Sequence, residues 1–146
     1  MYLADRTATE AVGASLARLV RPGDVIALSG PLGSGKTTLA RGILAGLGLA
    51  AEAPSPSFAI VQPYGPPEVR MPVWHVDLYR IGRMSEMAEL GLDDARSEAA
   101  LIVEWPERIG RDAWPDALWL ELAPEGAGRC LTAQVPAAWE GRWPLR

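Results

Sequence analysis

Gly30-Pro31-Leu32-Gly33-Ser34-Gly35-Lys36-Thr37 follows the apolar run Val25-Ile26-Ala27-Leu28 and precedes a stretch of helical periodicity over residues 37–47, which Gly48 is placed to close. The octapeptide fits the pattern G-x-x-x-x-G-K-[ST]. Its setting, strand into loop into helix, turns that pattern into a mechanism. Four apolar residues without alternation are what a strand buried on both faces of a parallel sheet requires. Glycines let the loop turn its backbone N–H groups inward, and the start of the next helix adds partial positive charge. The expected phosphate-binding positions are therefore Gly33, Ser34, Gly35, Lys36, Thr37 and Thr38. Lys36 is expected to bridge the terminal phosphates of a nucleotide, and the Thr37 hydroxyl to ligate Mg²⁺.

The cations of the chain support this reading. Of the 14 basic residues, 13 are arginine and the single lysine is Lys36. A compact ammonium with three rotatable donors fits between phosphate oxygens in a way that a planar guanidinium does not. The guanine-specific motif Asn/Thr-Lys-x-Asp needs a second lysine, which the chain lacks. ATP is the expected nucleotide.

Outward from the loop, Thr7-Ala8-Thr9-Glu10 has the spacing of a capping box and opens a predicted helix over residues 8–20, ended by Pro22-Gly23. Strands are expected at residues 58–61 and 73–78, on either side of a turn-rich stretch 63–67. A short helix at 85–90 precedes a second buried strand, Leu101-Ile102-Val103, which ends on Glu104. Two further strands are predicted at 118–122 and 129–135, around a turn at 124–128. The alternation of strand and helix predicts one α/β domain over residues 1–146, layered αβα, with a mainly parallel central sheet and antiparallel strands late in the chain.

Asp77 and Glu104 each follow apolar residues at a predicted strand end, where an open α/β sheet presents its ligands, and both are assigned to metal and water. His75 shares a strand face with Asp77, which leaves it open as a site residue or a packed one. Trp105 reads as packing, and Arg80, Arg83 and Arg108 as either phosphate-binding or surface cations. Cys130, the only cysteine, excludes an internal disulfide and a cysteine zinc cluster and reads as a small buried residue without a role. A net charge of −4 and a pI near 5.0 argue against tight independent binding of nucleic acid. The acidic, apolar-poor start and the lack of a long apolar run predict a cytoplasmic protein with no membrane association.

Taken in order, the glycine-rich loop, Ser55-Pro56-Ser57-Phe58, His75-Val76-Asp77-Leu78-Tyr79-Arg80, Glu89-Leu90-Gly91-Leu92 and Val103-Glu104-Trp105-Pro106-Glu107 resemble the TsaE (YjeE) family of P-loop ATPases, which serves tRNA threonylcarbamoyladenosine biosynthesis. The likeness spans roughly residues 9–129. It implies a P-loop NTPase fold and Mg²⁺-dependent ATP hydrolysis, slow alone and stimulated by docking on threonylcarbamoyl-transferase proteins of the TsaD and TsaB type, with tRNA reached only indirectly. By the same likeness Thr37 and Glu104 are metal ligands, Asp77 is needed for hydrolysis, and Thr9 and Arg129 contact the nucleotide. The Ser55-to-Phe58 block resembles a switch-like loop in which Ser57 stands where threonine is common and keeps the hydroxyl. The competing reading is a small-molecule P-loop kinase, whose lid would have to come from residues 80–96.

Overall fold

A computed structural model of the chain describes residues 1–56 and 60–143. Its seven strands are β1 (Tyr2–Leu3), β2 (Val25–Ser29), β3 (Val61–Tyr64), β4 (Val73–Asp77), β5 (Ala100–Glu104), β6 (Leu118–Glu125) and β7 (Gly128–Gln134). They form one sheet in the order β1-β7-β6-β2-β5-β4-β3. The centre is parallel, β2 lying between β5 and β6 and β4 pairing with β5. The β6–β7 hairpin, β1 and β3 add antiparallel pairs toward both edges. The helices are α1 (Arg6–Ala17), α2 (Lys36–Gly46), α3 (Met84–Glu89), α4 (Leu92–Ala95) and α5 (Ala137–Glu140).

Alternation along the central strands feeds two cores. Ile26, Leu28, Ile102, Leu118 and Leu120 pack with Leu16, Leu39, Ile43 and Trp139 beneath α1, α2 and α5. Val25, Leu101, Val103 and Val76 pack on the other face with Met87 and Leu92 of α3 and α4. Every residue of β2 and β5 is buried, which is why their sequences read as unbroken apolar runs. The two-faced layering and the parallel core match the sequence expectation.

Several local expectations shift. The capping box at Thr7 is not used. Asp5 caps α1 instead, its side chain accepting the Ala8 N–H at 2.9 Å, and the helix ends at Ala17 rather than near Val20. Pro63 and Tyr64, read from sequence as turn, belong to β3. As the edge strand, β3 tolerates a proline with no N–H to donate. Of the strand expected over residues 58–61, Phe58 lies outside the described residues, as does Ser57 of the switch-like block. Cys130 is half-buried on β7, opposite Tyr2 and Ala123.

α1 and α2 touch backbone to backbone. A Cβ built on Gly13 would lie 2.7 Å from the backbone of Gly42 and Ile43, with no flexible side chain able to yield. Gly13→Ala is therefore expected to destabilise by about 1–3 kcal/mol through overpacking, outweighing a helix-propensity gain of roughly 0.5–1 kcal/mol. Thermal melting should register a fall in Tm of roughly 3–10 °C. An unchanged or raised Tm would mean that the helices separate without cost.

Candidate active site

β2 delivers the chain to the glycine-rich loop at the C-terminal edge of the parallel strands, and α2 carries it away. Gly33 (φ +73) and Gly35 (φ +104) sit in the left-handed region, so consecutive peptide planes alternate as in an anion-binding nest. Lys36 opens α2 and is only 5% exposed. Its ammonium donates to the carbonyls of Gly30 and, at 3.0 Å, Pro31, and lies 4.0 Å from the centre of the Trp105 ring. Burial pushes this lysine below its ordinary range, opposed by the nearby charges of Glu104, Glu107 and Asp77.

Parallel pairing of β4 with β5 sets Asp77 opposite Glu104, both at strand ends and both buried. Glu104 uses each of its oxygens. Oε1 accepts the Thr37 hydroxyl at 2.8 Å, and Oε2 lies 2.6 Å from His75 Nε2. With a carboxylate as acceptor, the ring donates from Nε2. His75 is thus the residue that orients Glu104, the alternative that sequence left open. Asp77 Oδ1 accepts the Tyr79 N–H at 2.9 Å.

Trp105 is the second residue whose place the sequence did not disclose. Its φ of +59 is uncommon for a bulky residue and aims the indole over Lys36. Tyr79 packs against the same ring at a tilt of 43°, centroids 4.8 Å apart, and the Arg108 guanidinium lies 5.6 Å from the Tyr79 centre. The His-x-Asp-Leu-Tyr and Glu-Trp blocks therefore meet around one ammonium.

Gly33, Ser34, Gly35, Lys36, Thr37, Thr38, Asp77, Glu104, Trp105 and Arg129 line one pocket of about 280 Å³. Thr9 does not line it. It lies in an adjoining pocket of about 190 Å³ with Gly35, Thr38 and Arg129, which border both spaces. A larger pocket, about 630 Å³, lies beside the α1–α2 contact, lined by alanines and glycines of the two helices and by residues 49–53. Its rim charges are paired among themselves, Arg6 with Glu10 and Glu52, and Arg41 with Glu52, so it presents no convergent polar group.

The pocket can accept a metal as well as phosphates. The Thr37 hydroxyl, Glu104 and Asp77 are hard oxygen donors of the kind Mg²⁺ takes. Among the described residues no group of three or more His, Cys, Asp or Glu is arranged to hold a metal alone. Phosphate oxygens and water would have to complete the shell.

A buried parallel strand, an N–H-lined glycine loop, a lysine at the helix start and strand-end carboxylates together define a P-loop nucleotide-binding protein of the ATPase type. Comparison with known proteins narrows the class. The family model described as threonylcarbamoyl adenosine biosynthesis protein TsaE matches residues 3–131, and the chain belongs to that family, with a role in the threonylcarbamoyladenosine modification of tRNA. The tRNA threonylcarbamoyladenosine biosynthesis protein TsaE of Streptomyces coelicolor is 42% identical over 117 residues, 76% of each chain. Its namesake from Synechocystis is 40% identical over 114 residues, covering 74% of this chain and 70% of that one. The crystal structure of Bacillus subtilis YdiB superposes with a TM-score of 0.78 over 97% of this chain and 88% of that one, at 24% identity, and supports the fold.

Proposed function

We propose that the chain, acting as one domain in the cytoplasm, binds ATP with Mg²⁺ in the 280 Å³ pocket and hydrolyses it slowly until it docks on threonylcarbamoyl-transferase proteins of the TsaD and TsaB type. The observation that carries this reading is the continuous chain His75–Glu104–Thr37, whose Glu104 and Thr37 line one pocket with Lys36 while His75 lies buried behind them. Lys36 and the loop N–H groups hold the phosphates, with Lys36 leaving its two carbonyls for the terminal oxygens. Thr37 and Glu104 would hold the metal. Mg²⁺, when bound, neutralises charge on the phosphate oxygens. Asp77, at the end of the neighbouring strand, is assigned to positioning and deprotonating the attacking water. Thr9 and Arg129 border the side where the nucleoside would lie.

The kinase reading loses ground because, within residues 80–96, which would have to form its lid, Met84–Glu89 and Leu92–Ala95 fold as α3 and α4 with Met87 and Leu92 in the core. The acidic balance favours reaching tRNA through partners. No helix among the described residues is long and apolar enough to cross a membrane.

The test is phosphate release by the purified chain, alone and with the transferase proteins, together with their affinity for its ATP and ADP forms. Turnover should rise by at least about tenfold on docking, and the two forms should differ in partner affinity by roughly 5- to 150-fold, the typical size of a coupling between linked sites. Equal affinity with unchanged turnover would end the docking proposal.

A further inference from the structure

Arg129 stands on β7, 95 residues after Ser34 in sequence, yet its guanidinium lies against the glycine-rich loop. Nε donates to the Ser34 carbonyl at 3.0 Å and one terminal nitrogen to the Gly33 carbonyl at 2.9 Å. The other terminal nitrogen returns to the Gly128 carbonyl at 3.0 Å. Three of its five N–H donors thus serve backbone carbonyls, two of them consecutive in the loop. A trans peptide carries its C=O and N–H on opposite sides. Fixing the Gly33 and Ser34 carbonyls on Arg129 therefore turns the N–H groups of Ser34 and Gly35 away from it. The Ser34 N–H closes a turn on Pro31 at 3.1 Å, so the loop is braced from both directions.

The bracing matters because the peptides on either side of Ser34 adjoin glycines, which set no side-chain limit on their rotation. Gly33 and Gly35 flank Ser34 with φ values of +73 and +104, and nothing lies within 4 Å of where either glycine's Cβ would be. A flip of the Gly33–Ser34 or Ser34–Gly35 peptide would swing a carbonyl dipole toward the phosphates in place of an N–H, whereas the Gly35 carbonyl is already held by the Leu39 N–H at 2.9 Å.

We propose that Arg129 is a positioning residue of the phosphate site: by clamping the Gly33 and Ser34 carbonyls with one planar fork, it keeps the loop in the orientation that closes the Ser34 turn on Pro31 and leaves the Gly35 N–H for phosphate. This deepens, and rests on, the nucleotide-binding reading above. It differs from a direct contact with the nucleoside, because the loss on mutation should follow the phosphates alone. It also differs from a general field effect, because a lysine keeps the charge without the fork.

The experiment uses the full chain and its Arg129→Gln and Arg129→Lys variants, with thermal melting as the check on folding. Displacement of a fluorescent ATP analogue by ATP and by inorganic tripolyphosphate gives the affinities. Hydrogen exchange at the 33–36 amides is followed without ligand. Both variants should lose at least about tenfold in affinity for ATP and for tripolyphosphate in parallel, and their loop amides should exchange faster than in wild type. Loss for ATP alone would replace positioning with a nucleoside contact. Recovery in Arg129→Lys, or weakened binding with unaltered exchange, would replace it with direct charge on phosphate. Unchanged affinity would overturn the proposal, as would a wild type that binds ATP but not tripolyphosphate. A wild type that binds neither ligand would overturn the nucleotide reading itself. Should Arg129→Gln fail to fold, Arg129→Lys decides alone.

Discussion

Lys36→Ala is expected to weaken ATP binding by roughly 10²- to 10³-fold while leaving the chain folded. Removing one partner of a buried ion pair costs about 3–5 kcal/mol, and each 1.4 kcal/mol is about tenfold in Kd. The ammonium sits in the phosphate pocket, 5% exposed, and no other lysine can replace it. Folding should survive because what is lost in the unliganded protein is two hydrogen bonds to loop carbonyls and the contact with Trp105. Lys36→Arg should also bind weakly, since a planar fork does not fit the space defined by two carbonyls and an indole face. Equilibrium binding of a fluorescent ATP analogue, alongside a melting curve, measures both variants. Wild-type affinity in a folded Lys36→Ala protein would remove the loop from nucleotide binding.

The second large effect concerns rate rather than affinity. Glu104→Gln and Asp77→Asn should keep ATP affinity within about tenfold while lowering hydrolysis roughly a hundredfold or more. Both substitutions preserve shape and remove charge. Glu104 is tied to Thr37 and His75, while Lys36 is held by the carbonyls of Gly30 and Pro31 and Arg129 by those of Gly33 and Ser34, so the phosphate cradle keeps its lysine and its N–H groups. Phosphate-release assays at saturating ATP decide the matter. A variant that turns over at the wild-type rate would reduce that carboxylate to a buried strand terminus.

The legible parts of this chain were those where function and packing act on contiguous residues. The phosphate loop is eight consecutive positions, and the fully buried strands β2 and β5 announce themselves because burial on both faces forbids polar alternation. β1, α4 and α5 were invisible, since two to four residues carry no measurable period. The cap of α1 was misplaced by two residues, because two oxygen-bearing side chains, Asp5 and Thr7, compete there and only the observed Asp5–Ala8 bond decides between them. In the site, the contacts of Glu104 with His75 and of Lys36 with Trp105 arise from sheet register and from one left-handed residue, neither of which is local in sequence. A signal for the first existed. Once Asp77 and Glu104 are taken as matched ends of adjacent parallel strands, His75 lies on the same face, one pleat behind.

The backbone contact between α1 and α2 also constrains how this molecule can respond to its nucleotide. Two helices that meet backbone on backbone at Gly13 and Gly42, and at Gly46 on no more than the Ala17 methyl, have little side-chain layer to compress, so a shift of one presses directly on the other. α2 begins at Lys36, so the lever that feels the phosphates is riveted to the first helix of the chain.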